Sequence, residues 1–142
     1  MLVKRTPGLK AAQAYLDERG WVDMEIYSYA HPGMLVVAMN KDLTYAHESS
    51  LVFHDPSFFS GPTSWTSSSE GGRSLRVLEK DERLSLDIRA ARMAEGRLFS
   101  IDTDDGFSVL IGARDIELDT GTVFYYPREN LGPGESLAYW LS

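Results

Sequence analysis

The imidazoles that can do chemistry in this chain are His31, His47 and His54. His54 ends a short apolar run and is followed by Asp55, beside a long stretch rich in Gly and Ser. A histidine next to a carboxylate at a strand end is a candidate pair for general acid–base catalysis, so His54 and Asp55 are the candidate catalytic residues. Adjacent strand residues point to opposite faces, however, and nearness in sequence does not bring this imidazole to this carboxylate. A metal site would need a third ligand, such as His47 folded back across a turn. Nothing in the spacing supplies that proximity, and neither a metal nor another cofactor is expected. His31, in His31-Pro32-Gly33, belongs to a type II turn signature. With no cysteine, thiolate catalysis and zinc–thiolate sites are excluded.

Asp102-x-Asp104-Asp105-Gly106 has the look of a calcium loop and fails as one. The EF-hand needs a third alternate oxygen ligand where Gly106 stands, and a glutamate at its twelfth position, where this chain has Ala113. The reading that remains is a hairpin turn. No Gly-x-Ser-x-Gly elbow, Walker loop or His-Glu-x-x-His occurs, and Gly132-x-Gly134 lacks the third glycine of a dinucleotide fingerprint. The backbone amides of Ser67-Ser68-Ser69 and Gly71-Gly72 can cradle an anion, but a solvated loop is the plainer expectation.

The aromatic residues carry more. In 21–29, strand alternation puts Val22, Met24 and Ile26 on one side, and Trp21, Asp23, Glu25, Tyr27 and Tyr29 on the other. Rings interleaved with carboxylates suit a recognition surface, because aromatics bring contact area at small entropic cost. The alternative is an ordinary second core layer, covered by a helix or by the long loop. Phe58, Phe59 and Trp65 stand under the same choice between a binding lip and a small core.

Composition narrows the classes. Apolar residues at 43% and charged residues at 25% describe an ordinary globular protein. A chain of 142 residues buries about 70% of its unfolded surface as one domain. The 21 acidic residues outnumber the 14 basic ones, giving −7. Nucleic acid is thereby disfavoured, since phosphate binding draws on clustered Lys and Arg. An acidic surface favours basic partners and speeds encounter with them. Lys4, Arg5 and Pro7 lead into a polar helix without the apolar core of a signal peptide, and no apolar run nears the roughly 20 residues that span a bilayer. The expectation is cytoplasmic, with no membrane.

These residues must be positioned by the elements around them. The centre is 97–118, where two strand-forming runs flank Asp104-Asp105-Gly106, a short hairpin signal. Phe107, Val109 and Ile111 share one face, and Gly112 suits a bulge. Ahead of this hairpin, Thr6 as cap, Pro7 at the first position and Gly20 as stop bracket a helix with a Leu9, Ala12, Leu16 stripe. Strands are expected at 21–29, 34–39, 51–54 and 75–78, with loops over 40–50 and 60–74. For 81–95 both helical and strand spacing can be read; composition and the Gly96 stop choose helix. Strands at 122–126 and 136–141 close the chain. The sum is a single α+β domain, 1–142, with a largely antiparallel, twisted sheet of six to eight strands, an N-terminal helix and a second helix.

The function this supports is a non-catalytic binding module that recognises a protein partner, basic in character, through an acidic, aromatic surface made of Trp21, Asp23, Glu25, Tyr27, Tyr29, Phe58 and Trp65. An immunity- or antitoxin-like role fits that description. The alternative is a small-molecule-binding or hydrolase-like enzyme with its pocket near His54, Asp55 and the 60–74 loop. A third reading is a homodimer paired through an edge strand such as 122–126.

Overall fold

A computed structural model describes residues 5–30, 33–68 and 74–141, with 5–7 as backbone alone. The elements run β1 (Arg5–Pro7), α1 (Leu9–Arg19), β2 (Trp21–Tyr29), β3 (Met34–Asn40), β4 (Ala46–His47), β5 (Ser49–His54), β6 (Phe58–Ser60), β7 (Ser64–Ser68), β8 (Leu75–Val77), α2 (Lys80–Leu84), α3 (Arg89–Met93), β9 (Arg97–Asp102), β10 (Ser108–Ala113), β11 (Asp115–Asp119), β12 (Thr122–Phe124), β13 (Glu135–Leu137) and a 3₁₀ turn, Tyr139–Leu141. The class is α+β. The strands divide into a six-stranded sheet, β1-β11-β5-β3-β2-β7, a four-stranded sheet, β6-β10-β9-β8, and a three-stranded sheet, β13-β12-β4. Pairing is antiparallel except between β12 and β13.

Strand alternation decides the core, as read in the sequence for β2 and as the structure shows for β3 and β5. Val22 and Met24 of β2, Leu35, Val37 and Met39 of β3, and Leu51 and Phe53 of β5 all face inward on the large sheet. Opposite them stand Phe99 and Ile101 of β9 and Val109 and Ile111 of β10. Phe53 and Phe99 meet edge-to-face at 5.3 Å between centroids, joining the two sheets. Ala12 and Leu16 of α1 close the same core, as the helical stripe predicts. The outward face of the four-stranded sheet buries Leu98 and Leu110 under Leu78 and Ala91, with Phe58 and Leu86 packed alongside.

Several expectations are corrected. Thr6 and Pro7 do not open the helix: they pair with Leu118 and Glu117 as β1, and Gly8 precedes the first turn. An edge strand tolerates Pro and satisfies more backbone than a cap does, so the tertiary partner wins. The span 40–50 holds β4 and the start of β5, and 60–74 holds β7, which pairs with β2 from Trp21↔Ser68 to Glu25↔Ser64. The single helix expected over 81–95 is two short ones, broken at 85–88. The helical spacing over 81–95 rests on Leu84, Ile88 and Ala91, of which Leu84 and Ile88 are exposed and only Ala91 is buried, so no continuous apolar face holds one helix together.

In the central hairpin the Thr103 carbonyl accepts the Gly106 N–H at 3.2 Å, and Thr103 N–H bonds Phe107 O at 2.9 Å. This is a three-residue loop in which Gly106, at φ 85, takes the left-handed position. Gly112 makes no bulge. It stays in register with Leu98 and Phe58, and a Cβ there would stand 2.8 Å from Ser57 Oγ, so the glycine serves close approach. β12 ends at Phe124 and lies between β4 and β13, so it offers no free edge for a dimer. The expected last strand is shorter and earlier, β13, followed by the 3₁₀ turn. His31 and Pro32 of the expected turn, and Ser69, Gly71 and Gly72 of the anion-cradle reading, lie outside the described residues.

Candidate functional site

The outer face of β2 is where carboxylates and rings meet. Asp23 stands opposite Asn40 and Thr66, and Glu25 opposite Ala38 and Ser64, all on the side away from the core. Thr66 Oγ1 donates to Asp23 Oδ1 at 2.7 Å, which holds that carboxylate over the β2–β7 pair. Asp42, in the loop after β3, is hydrogen-bonded by the Thr44 hydroxyl and by the Thr44 N–H, the latter at 2.9 Å, and these bonds hold its carboxyl below the usual range. Asp23, Glu25 and Asp42 line one open trough of about 450 Å³, with Ser64 and Thr66 on its floor. Among the described residues no Lys or Arg lines it.

Beside it lies a second trough of about 380 Å³, which shares Glu25 and Leu43 with the first. Its other walls are Ile26 and the aromatic side chains of Tyr27, Tyr125, Tyr139 and Trp140. The rings touch one another. Tyr27 lies 5.7 Å from Trp140 and 5.2 Å from Tyr139, and Tyr125 lies 5.3 Å from Trp140. The Tyr139 N–H donates to the Tyr27 hydroxyl at 3.0 Å, tying the C-terminal 3₁₀ turn to β2.

Behind the rings, His47 is buried, with Nδ1 at 2.7 Å from the Tyr125 hydroxyl and its ring 4.9 Å from that of Tyr27. Burial pushes the imidazole down to about 4, so the ring is neutral near pH 7. Burial raises the Tyr125 phenol, and the charge of Glu25 and the neighbouring Tyr27 raise it further. The Tyr27 phenol is raised chiefly by burial.

A β-bulge between Ile26 and Ser28 shapes this cluster. Tyr27 occupies the extra position, and beyond it the register shifts, so that Tyr29 stands opposite Leu35, out of step with Asp23 and Glu25, and remains exposed at the strand end. Of the residues singled out in the sequence, Asp23, Glu25 and Tyr27 come together. Trp21 stands at the start of the strand with Lys41 Nζ 4.1 Å from its ring centroid, so one of its faces is already taken. Phe58 packs against the core beneath α2 and α3, and Trp65 is buried in the main core. Phe58 thus sits in the smaller core, while Trp65, though buried, also lines the acidic trough. Tyr125, Tyr139 and Trp140 escaped the sequence reading, because their nearness to Tyr27 spans about a hundred residues. The local signal was the density of rings at 124–126 and 139–140.

His54 and Asp55 are not brought together. His54 Nε2 donates to Glu117 Oε1 at 2.6 Å, a diagonal contact between β5 and β11. Asp55, at φ 50, turns the chain away and accepts from Arg114 Nε at 2.8 Å. The hollow beside Asp55 is lined by Asp55, Ser57, Glu95, Gly96 and Arg114, without His54. His47 lies with Tyr125 and not with His54, and no group of three His, Asp or Glu residues able to hold a metal occurs among the described residues. No described helix is long and apolar enough to cross a membrane. Comparison with protein-family models, with curated proteins and with solved structures finds no match.

Proposed function

We propose that this chain is a non-catalytic binding module that engages a basic protein partner through the acidic, aromatic face of β2. The observation that carries the reading is the pair of adjoining troughs, one walled by Asp23, Glu25 and Asp42, the other by Glu25 and four aromatic side chains. Carboxylates in a trough that no described Lys or Arg lines, beside half-exposed rings, suit a surface that is completed by another molecule's cations. The net charge of −7 works in the same direction, by steering a basic partner toward the protein. A cytoplasmic, one-domain protein that masks a basic enzyme, as an immunity or antitoxin protein does, is one role of this kind. That role rests on charge and fold class alone.

The test compares two double variants in capture from the native host at low salt. Asp23→Lys with Glu25→Lys should slow association with the retained basic partner, and the loss should shrink as salt rises, since exposed charges are screened over about 8 Å at physiological ionic strength. His54→Ala with Asp55→Ala should leave capture nearly intact. An enzyme using His54 and Asp55 predicts the reverse order. Capture that is indifferent to the charge reversal at every salt concentration sinks the proposal.

A further inference from the structure

The aromatic trough has the chemistry of a receptor for one planar organic cation. Its walls are Ile26, Tyr27, Tyr125, Tyr139 and Trp140, with Glu25 and Leu43 at the boundary with the acidic trough. Aromatic faces attract cations through their quadrupoles, and a guanidinium stacks on a ring while its N–H fork reaches a carboxylate. Among the described residues, cations that lie over rings are used elsewhere: Arg19 on Tyr15, Lys41 on Trp21 and Arg128 on Phe124. Among the described residues no Lys or Arg lines the aromatic trough. Glu25 acts electrostatically on the Tyr125 phenol, so its charge reaches into the ring cluster. The volume, about 380 Å³, falls at the small end of ligand pockets, suited to one side chain rather than an extended ligand.

We infer that this trough takes a single arginine side chain of the basic partner, the guanidinium stacked against the Tyr27, Tyr125 and Trp140 cluster and paired with Glu25. The inference rests on the binding reading above and names the anchor of that interface. Acid and rings act together here. The carboxylate supplies attraction at a distance, and the rings give up little hydration when a weakly hydrated guanidinium displaces water from them.

The experiment is a titration of the whole protein with N-acetyl-arginine N-methylamide, followed by NMR. Its neutral urea counterpart, N-acetyl-citrulline N-methylamide, and the corresponding lysine compound serve as comparisons. The arginine probe should saturate shifts at the Trp140 indole N–H, the Tyr139 amide and Glu25. Citrulline and lysine should bind more weakly, citrulline by about fivefold or more. Glu25→Gln and Trp140→Leu, both at exposed positions and so expected to preserve the dispersion of the spectrum, should each weaken arginine binding by about fivefold. Equal binding of citrulline or lysine, shifts confined to residues outside the trough, unchanged affinity in both variants, or no saturable shift overturns the inference. If the probe fails while charge-dependent capture of a basic partner persists, the pocket assignment falls and the binding reading stands. If the probe binds but no capture depends on Asp23 and Glu25, the arginine site stands and the protein-partner reading falls.

Discussion

His47 shows how much one buried side chain decides. The sequence left it without a role beyond a third metal ligand that the spacing does not supply; the fold buries it as a neutral ring against Tyr125 and Tyr27. Burial holds its pKa at about 4, below the usual imidazole value of 6.5. In the interval between those values the unfolded chain binds a proton that the native chain refuses, so stability falls as pH drops through it and is lost no further below about 4. The loss attributable to this site is about 3 kcal/mol. Urea midpoints measured between about pH 7 and pH 4 should fall in the wild type and fall less in His47→Gln. Trp65 is the opposite case, an anchor placed in a supposed loop and found in the core. Trp65→Ala should lower stability by about 3–5 kcal/mol in chemical denaturation, and a loss within about 0.5 kcal/mol would contradict its burial.

At the scale of elements, the hairpin β9–β10 was the most legible part of the chain, since strand alternation and Asp104-Asp105-Gly106 agree. Gly106→Val should cost about 1 kcal/mol or more, because a β-branched residue resists the positive φ seen there. An unchanged denaturation midpoint would count against the turn. Legibility failed where a partner distant in sequence supplies the hydrogen bonds. Residues 5–7 look like a helix start until β11 is present to pair with them, and 64–68 looks like loop until β2 offers its edge. The 81–95 segment failed for another reason. Its helix propensity is real, but without a continuous buried stripe it supports only two short turns of helix.

For the molecule as a whole, the large and the four-stranded sheets are held together by residues that alternate along strands far apart in the chain, with Phe53 against Phe99 at the junction. A double-mutant cycle on Phe53→Leu and Phe99→Leu should return a coupling of about 1 kcal/mol, and additive losses would mean that the two rings do not act as a pair. The sequence by itself determined the α+β class, the period-2 assignment of the core faces on β2, β10 and β11, and the acidic balance. These depend on local spacing and composition, which need no partner to be read. It also brought out Asp23, Glu25 and Tyr27 as neighbours, because they share one strand. Only the tertiary structure decided the division into three sheets, the separation of His54 from Asp55, the bulge that turns Tyr29 away, and the arrival of Tyr125, Tyr139 and Trp140 beside Tyr27. Each of these depends on which strands pair and in what register, and that choice is settled by the burial of the whole apolar set at once rather than by any single stretch.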